Sequence, residues 1–333
     1  MKEQDLAIQA VHLSKHYRGA PAEASLSKRA GLNDFNLSVA SGSICGLLGP
    51  NGAGKTTAIK ILTTLLALDT GQARVAGYDV TTQSKQVRER ISLVGQSAAV
   101  DEILTGRQNL VMFGQLNHLS TRNANSRADG LLEQFGLAGA GKLPVSKYSG
   151  GMRRRLDLAA SLIVSPEVLF VDEPTAGLDP VGRKEVWEAI RSRVADGTTV
   201  LLTTQYLEEA DQLADRITIL EAGHVIAEGS PDELKSIVGG DRLDIQLRPG
   251  EDLSPVVQIL HRVASGPVQT DTDSARVSAP VADRTRDLIA VANGLFEAGI
   301  EPQDIQLRRP TLDEVFIHLT GQAETEPTQE ARP

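Results

Sequence analysis

Short apolar runs alternate with segments of helical spacing along the first two thirds of the chain. Apolar and polar residues alternate over 6–13 and 35–39, which predicts two half-buried strands. Continuous apolar runs at Ile44–Leu48 and 168–171 predict fully buried strands. Further strands are predicted at 73–76, 91–94, 200–203 and 217–220, with helices near 183–194 and 207–213. Strands that alternate with helices in this way favour an α/β fold with a parallel sheet.

The segment from about 97 to 165 has a different pattern. Two groups of apolar residues follow helical spacing there: Leu110, Phe113 and Leu116, then Leu131, Leu132 and Phe135. A third helix is expected after Ser149, whose side chain can cap the first turn. We therefore expect a helical subdomain inserted into the α/β domain. Arg153, Arg154 and Arg155 near the start of the third helix are interpreted as a solvated face, with bound phosphate or an acidic partner surface as the alternative.

The pattern changes again near Val238, which predicts a boundary between a first domain, 1–238, and a second domain, 239–321. Strands are predicted at 243–247, 268–270, 276–278 and 305–307, and helices at 255–263, 283–296 and 312–319. The order strand–helix–strand–strand–helix–strand is typical of a small α+β, ferredoxin-like domain. The tail 322–333 is polar, contains two prolines and lacks apolar periodicity, so we expect it to be disordered.

A glycine-rich segment separates the buried strand Ile44–Leu48 from the helical spacing that follows. Its residues are Gly49, Pro50, Asn51, Gly52, Ala53, Gly54, Lys55, Thr56 and Thr57. They fill every fixed position of the pattern G-x-x-x-x-G-K-[ST]. Gly52 and Gly54 permit a tight turn whose N–H groups converge on one anion, and the helix adds its positive end.

This segment is predicted to be a phosphate-binding loop. The Lys55 side chain can reach the β- and γ-phosphates of a nucleotide, and the Thr56 hydroxyl can ligate Mg²⁺. The alternative is a glycine-rich turn with a surface lysine. The presence of all fixed positions between a strand and a helix favours the phosphate-binding loop.

Two acidic residues, Asp172 and Glu173, follow directly after the apolar run 168–171. Ligands of parallel α/β sheets bind beyond the carboxyl ends of the strands, so both carboxylates are expected near the phosphate-binding loop. Asp172 would hold Mg²⁺ directly or through water. Glu173 would orient and deprotonate a water for attack on the γ-phosphate. The alternative is a solvated acidic pair at a strand end.

Composition narrows the class of protein further. The chain has 333 residues, of which 41% are hydrophobic and 23% charged, as in an ordinary globular protein of two domains. Its net charge of −9 argues against nucleic acid as a partner. The lone Cys45 lies in a predicted strand and is interpreted as a buried apolar residue. No apolar run approaches the length of a membrane span, so if the protein works at a membrane, another chain must span it.

Together these motifs resemble those of the ATP-binding cassette (ABC) ATPases, a family of P-loop NTPases. The residues that carry the resemblance are 49–57 for Walker A, Tyr148, Ser149, Gly150, Gly151 and Met152 for the signature motif, 169–174 for Walker B, 176–179 with Asp179 for the D-loop, Gln96 for the Q-loop, and Tyr17 for the aromatic residue that stacks on adenine. Tyr148 replaces the usual leucine and Met152 the usual glutamine. For Tyr17, a surface tyrosine remains the alternative.

Two further stretches resemble the daunorubicin-resistance type within this family. They are 149–155, at the signature motif, and 307–316, near the end of the second domain. The ABC resemblance covers about 6–238, and the second stretch extends it through the C-terminal domain. The resemblance implies a regulatory role in dimerisation for that domain.

The resemblance also implies how the parts work together. Two copies of the chain pair head to tail, and each ATP lies between the phosphate-binding loop of one copy and the Ser149 helix of the other. ATP and Mg²⁺ are the implied ligands, with Thr56, Gln96 and Asp172 at the metal and Glu173 as the base. An integral membrane permease is the implied second partner.

One position departs from the family pattern. Most members have histidine after the strand at 200–203, whereas this chain has Gln205. A glutamine amide can donate a hydrogen bond to the γ-phosphate, but it cannot take up a proton. We therefore expect an active ATPase that depends on Glu173 rather than on a protonated side chain at 205.

The leading hypothesis is the ATP-hydrolysing subunit of an exporter, peripheral at the cytoplasmic face of the membrane. It would drive efflux of a drug, antibiotic or lipid-like compound. Two alternatives remain at this point: an ABC ATPase outside transport, and a nucleotide-gated binding module with weak hydrolysis.

Overall fold

A computed structural model of the protein describes residues 6–17, 30–95 and 99–323. The chain divides into two compact units, Met1–Ser230 and Pro231–Pro333, which are described separately. Among the described residues, we find no helix with both the length and the apolar character required to cross a bilayer.

The strands of the first unit form two sheets. They are β1 (Leu6–His16), β2 (Ala30–Ala40), β3 (Ile44–Leu48), β4 (Thr70–Val75), β5 (Tyr78–Asp79), β6 (Ile91–Val94), β7 (Val168–Asp172), β8 (Thr199–Thr204), β9 (Arg216–Glu221) and β10 (His224–Gly229). One sheet has the order β10-β9-β3-β8-β7-β6, in which β9, β3, β8, β7 and β6 are parallel and β10 is an antiparallel edge strand. The parallel sheet of the predicted α/β fold is therefore confirmed.

Strands β3, β7 and β8 are buried along their whole length, as expected for a parallel sheet covered on both faces. The second sheet, β2-β1-β4-β5, is antiparallel and packs onto the same core. The sequence pattern identified most of its strands but not their separation into a sheet of their own. Strand pairing depends on residues far apart in the chain, which local alternation does not report.

The helices of the first unit are α1 (Lys55–Leu62), α2 (Ser84–Arg88), α3 (Gly106–Leu116), α4 (Thr121–Gln134), α5 (Gly150–Ser161), α6 (Pro180–Ala195) and α7 (Leu207–Leu213). Helix α3 packs against α4 and α5, which forms the predicted helical insertion. Each of these helices begins with a side-chain cap, from Thr105, Ser120 and Ser149 respectively.

The second unit contains β11 (Arg242–Gln246), β12 (Gln269–Asp271), β13 (Arg276–Pro280) and β14 (Asp304–Arg308), with α8 (Pro231–Ile237), α9 (Ser254–His261), α10 (Arg284–Glu297) and α11 (Leu312–Ala323). The element order from β11 to β14 is the predicted strand–helix–strand–strand–helix–strand. The sheet order is β12-β13-β11-β14, with antiparallel neighbours throughout. Strand β13 thus lies between β11 and β12, which is a split β-α-β arrangement.

Two expected boundaries differ from the structure. The units separate between Ser230 and Pro231 rather than after Val238, because α8, whose Leu234 is buried, packs against α11 in the second unit. The tail expected from 322 overlaps the end of α11, which extends to Ala323, and 324–333 lie outside the described residues.

Candidate active site

The glycine-rich loop connects β3 to α1 at the carboxyl edge of the parallel sheet. Two of its glycines are required by space. A Cβ atom at Gly49 would lie 2.2 Å from the carbonyl oxygen of Leu220, and one at Gly54 would lie 2.3 Å from that of Gly31. Gly54 also has a φ of 111°, a left-handed conformation that favours glycine. The close packing around these glycines fixes the path of the loop.

Lys55 begins α1, and its side chain is buried inside the loop. Its ammonium group donates hydrogen bonds to the carbonyl oxygens of Gly49 at 2.6 Å and Pro50 at 3.1 Å. Burial lowers the pKa of Lys55, and the negative charges of Glu173 and Asp172 oppose that shift. The structure therefore brings the loop lysine and both predicted acidic residues into one electrostatic site.

Other loop residues differ in exposure. Pro50, Asn51 and Gly52 are exposed, whereas Ala53 is buried and its N–H donates to the Pro50 carbonyl at 3.1 Å. Thr56 is partly exposed. The first part of the loop is thus exposed, while the residues that lead into α1 are buried.

Tyr17 lies beside this loop. Its hydroxyl group forms a hydrogen bond with the Thr57 hydroxyl at 3.2 Å. Its ring packs closely over Gly31, where an added Cβ would lie 2.6 Å from ring atom Cε2. The side chain remains half exposed, at 50%. Tyr17 therefore has an open aromatic surface next to the loop, and its role in stacking on adenine stays a prediction.

Asp172 and Glu173 lie at the carboxyl end of β7. Asp172 is buried and accepts a hydrogen bond from the Thr203 hydroxyl of the neighbouring strand β8 at 2.5 Å. Glu173 follows with a φ of 52°, and its N–H donates to the Thr203 carbonyl at 3.0 Å. A left-handed backbone at a non-glycine residue costs on the order of 1–3 kcal/mol and persists where its surroundings hold it. Such strain is concentrated at functional sites in proteins.

Gln205 is exposed and follows the end of β8. Strands β7 and β8 are parallel, with Asp172 opposite Thr203, so Gln205 lies at the same sheet edge as the acidic pair. Gln96 lies outside the described residues, and its predicted role stays a prediction.

The predicted signature motif forms the N-terminus of α5. The Ser149 side chain accepts a hydrogen bond from the Met152 N–H at 3.2 Å, which confirms Ser149 as the helix cap. Ser149 and Gly150 are exposed, and Gly151 is partly exposed. In the D-loop segment, Asp179 caps α6 by accepting from the Gly182 N–H at 2.7 Å.

The prediction of a solvated face for the three arginines of α5 is wrong for one of them. Arg154 is buried, whereas Arg153 pairs with Glu102 at 2.7 Å and Arg155 with Glu185 at 2.5 Å. Consecutive helical residues point about 100° apart, so with Arg154 directed inward its two neighbours lie on the flanks of the buried face. The spacing of Arg154 from the apolar residues four and eight positions later could have identified it as inward-facing.

Sequence reasoning also missed Glu209 on α7. It is buried and accepts a hydrogen bond from the Trp187 indole N–H at 3.0 Å. Burial raises the pKa of Glu209. Its predecessor Glu208 is exposed. Glu209 lies four positions before the buried Leu213, whereas Glu208 lies four before Gln212, so helical spacing could have identified Glu209 as the inward-facing residue.

Comparisons with known proteins agree with this geometry. The ABC transporter family profile matches residues 32–176. The chain is 58% identical to the daunorubicin resistance ATP-binding protein DrrA3 of Streptomyces coeruleorubidus, over 90% of this chain and 94% of that protein. It is 46% identical to the daunorubicin/doxorubicin resistance ATP-binding protein DrrA of Streptomyces peucetius, over 98% of this chain and 96% of that protein.

Among solved structures, an ATP-binding subunit of an ABC transporter aligns with a TM-score of 0.62 and 26% identity. The alignment covers 70% of this chain and 93% of that one. The sequence relatives match over nearly their whole length. The chain therefore belongs to the ABC transporter family, as an ATP-binding and ATP-hydrolysing subunit of the daunorubicin and doxorubicin resistance type.

Proposed function

We propose that this protein powers export of a drug, antibiotic or lipid-like compound through a separate integral membrane permease, from the cytoplasmic face of the membrane. One observation carries the chemistry of the proposal. The buried ammonium group of Lys55 lies in a glycine-built loop and within the electrostatic reach of Asp172 and Glu173.

ATP binding uses the loop. The N–H groups around Gly52 and Gly54 and the N-terminus of α1 bind the phosphates. In the described conformation, Lys55 donates to two carbonyl oxygens of its own loop. Phosphate oxygens are stronger acceptors because they carry charge, so ATP draws the ammonium group from these carbonyls to the β- and γ-phosphates. Tyr17 stacks on the adenine.

Mg²⁺ fits the donor set beside the loop. Asp172 offers a carboxylate and Thr56 a hydroxyl group, both hard oxygen ligands, and Mg²⁺ is commonly held by one or two such groups together with substrate phosphates. One oxygen of Asp172 accepts from Thr203, which leaves the other for the metal. Gln96 is proposed as a further ligand. Bound Mg²⁺ neutralises charge on the β- and γ-phosphates.

Hydrolysis depends on Glu173. Its carboxylate accepts a proton from the attacking water. The left-handed backbone of Glu173 and its hydrogen bond to the Thr203 carbonyl fix the position of the Cα atom from which this side chain extends. The Gln205 amide donates to the γ-phosphate. Because glutamine does not ionise, Gln205 orients the phosphate without transferring a proton.

A second copy of the chain completes each site. The exposed Ser149 and Gly150 open α5, and a helix N-terminus with free N–H groups binds anions. In a head-to-tail dimer, this end of one copy contacts the γ-phosphate held by the loop of the other, with Asp179 at the contact. The second unit regulates this pairing.

The test is transport by the complete system. The chain is co-expressed with a candidate integral membrane permease, and ATP-dependent accumulation of daunorubicin is measured in inside-out vesicles. We expect accumulation that is lost with Glu173→Gln and unchanged with Glu188→Gln, an exposed glutamate on α6. ATP hydrolysis without accumulation of daunorubicin, other antibiotics or lipids would contradict the exporter assignment.

A further inference from the structure

Arg154 directs its guanidinium group at backbone carbonyls from two other segments. Nε donates to the Pro174 carbonyl at 3.0 Å, and Nη2 donates to those of Asp172 at 2.9 Å and Glu173 at 2.8 Å. Nη1 donates to the carbonyl of Gly95, just past β6, at 2.5 Å. One side chain of α5 thus binds the backbone at the carboxyl ends of two adjacent strands of the parallel sheet, β6 and β7.

A buried guanidinium group is costly, so its presence calls for a reason beyond packing. Burial lowers the pKa of Arg154, and nearby acidic groups, first Asp157 at 3.8 Å, oppose that shift. Apolar residues of similar volume are often as stabilising as buried charged groups. The fork of donors matches successive carbonyls, which an apolar side chain could not hold.

The three carbonyl groups at the end of β7 belong to the proposed base, Glu173, and to its two neighbours in the chain, Asp172 and Pro174. Glu173 has a left-handed backbone, which requires support from its surroundings. The carbonyl of Thr203 accepts a hydrogen bond from the Glu173 N–H, and the Arg154 guanidinium group donates one to the Glu173 carbonyl. The peptide groups before and after Glu173 are therefore both fixed, one by a neighbouring strand and one by α5.

We propose that Arg154 is a positioning residue that sets the backbone of Glu173 in its own chain's site and makes that geometry depend on the placement of α5. This inference rests on the proposed function. Helix α5 begins at Ser149, which contacts the nucleotide of the second copy. Arg154 lies about one turn into the same helix. Nucleotide at one site therefore orients the base of the other through one rigid helix.

The first test compares Arg154→Met with Arg155→Met in the full-length ATPase. Both variants remove a guanidinium group from α5, but Arg155 binds the Phe135 carbonyl and the Glu185 carboxylate instead of the backbone at the carboxyl end of β7. We expect Arg154→Met to lower kcat about 10- to 100-fold while KM for ATP stays within about twofold, because misplacing a catalytic group affects the chemical step. Arg155→Met should keep both constants near wild type.

Arg154→Lys keeps the charge and much of the volume, but it can hold fewer carbonyls at once. We expect an intermediate kcat, and thermal unfolding within a few degrees of wild type shows that the fold is retained. The same comparison is made with this variant if the methionine variant does not fold. A raised KM with unchanged kcat, or unchanged values for both constants, would overturn the proposal.

Mixed dimers separate action within a chain from action on the partner. Copies with two different affinity tags are co-expressed and purified in sequence. In the first pair, one copy carries Arg154→Lys and the other Glu173→Gln, so the active base belongs to the arginine variant. In the second pair, one copy carries both substitutions and the other is wild type, so the active base has an intact Arg154.

We expect the first mixed dimer to show the lowered kcat and the second to retain about half of the wild-type turnover, since one site remains. The reverse result would place Arg154's effect on the partner's site and overturn the assignment. Failure of the proposed function is distinguishable, because the wild-type chain would then hydrolyse no ATP or hydrolyse it without driving transport, whereas failure of this inference changes only the ranking of the variants and mixed dimers.

Discussion

The hydroxyl group of Thr203 donates a hydrogen bond to the carboxylate of Asp172 over 2.5 Å, across two parallel strands. The carbonyl of the same threonine accepts the N–H of Glu173 at 3.0 Å. One fully buried residue therefore orients both the proposed metal ligand and the proposed base.

Thr203→Val tests this arrangement. Valine keeps the volume and the backbone carbonyl but removes the hydroxyl donor, which leaves one Asp172 oxygen without its partner. We expect kcat to fall about tenfold and the Mg²⁺ concentration for half-maximal activity to rise severalfold, since a hydrogen bond to a charged group contributes about 1.5–3 kcal/mol.

The matched control is Thr199→Val at the other end of β8. It also removes a buried hydroxyl, one that accepts from the Gly42 N–H at 2.9 Å far from the carboxyl edge. Its Mg²⁺ dependence should be that of the wild type. Equal shifts in both variants would show that Thr203 acts only through stability.

Glu173→Gln tests the base directly. The amide keeps the shape of the side chain but cannot accept a proton at neutral pH. We expect hydrolysis to fall about 10²- to 10⁴-fold, the range for general acid–base catalysis. ATP affinity, measured with a fluorescent analogue, should be retained. Hydrolysis near the wild-type rate would place the base elsewhere, and Glu188→Gln controls for the lost charge.

Gln205 gives a prediction about pH. Glutamine does not titrate, so the wild-type rate should lack a step attributable to this position between about pH 5.5 and 7.5. Gln205→His should add such a step, because histidine gains charge near pH 6.5. Gln205→Ala should lower kcat severalfold through loss of the amide donor. Steady-state rates of the three proteins across that range provide the measurement, and three identical profiles would make position 205 a bystander.

Some residues of the site could be predicted from one short segment of the sequence, whereas others depend on contacts between distant segments. The loop from Gly49 to Thr57 was predictable, because a short contiguous segment must supply glycines, lysine and hydroxyl in a fixed order. Asp172 and Glu173 were predictable because they end an apolar strand. The fold class followed in the same way from local periodicity.

The supporting contacts were not predictable from the sequence. The hydrogen bond between Asp172 and Thr203 joins residues 31 positions apart. The Arg154 contacts with Gly95 and Pro174 join α5 to two strand ends. Local patterns report which way a side chain faces, but they do not report which distant segment it meets. The boundary at Ser230 was missed for the same reason, since it depends on packing between α8 and α11.

Glu209 predicts how stability changes with pH. Its pKa is raised by burial in the folded protein, so the folded state holds this proton more tightly than the unfolded chain does. Its contribution to stability is fully present below the unfolded pKa of about 4.3 and is lost as pH rises through the raised folded pKa. Glutamine at this position cannot ionise and still accepts from Trp187.

We therefore expect Glu209→Gln to gain stability relative to wild type as pH rises from 4.5 to 8. This interval begins near the ordinary glutamate pKa and ends about three to four pH units above it. Urea denaturation at several pH values measures the difference in the free energy of unfolding. Glu208→Gln, at the exposed neighbour, controls for the change in net charge. A difference that stays constant over the range would contradict a role for Glu209 burial.

Arg308 gives the second unit its own prediction. Its guanidinium group makes two hydrogen bonds to Glu314, both at 2.9 Å, and one to the buried Asp244 at 2.7 Å. The three residues lie on β14, α11 and β11. Glu314 also accepts from the Thr311 N–H at 2.9 Å, so the same carboxylate caps the start of α11. The stretch 307–316 thus ties the last helix to the sheet.

Arg308→Lys removes the planar fork while it retains the charge, and a lysine ammonium cannot bind Glu314 in two places and Asp244 together. We expect the second unit to lose about 1.5–3 kcal/mol of stability, the value of a hydrogen bond to a charged group. Arg309→Lys is the matched control, because Arg309 makes an exposed pair with Asp232 at 3.3 Å and such pairs contribute about 0–1 kcal/mol. Hydrogen exchange of β11, β13 and β14 measures both variants, and equal protection in the two would contradict a structural role for the Arg308 fork.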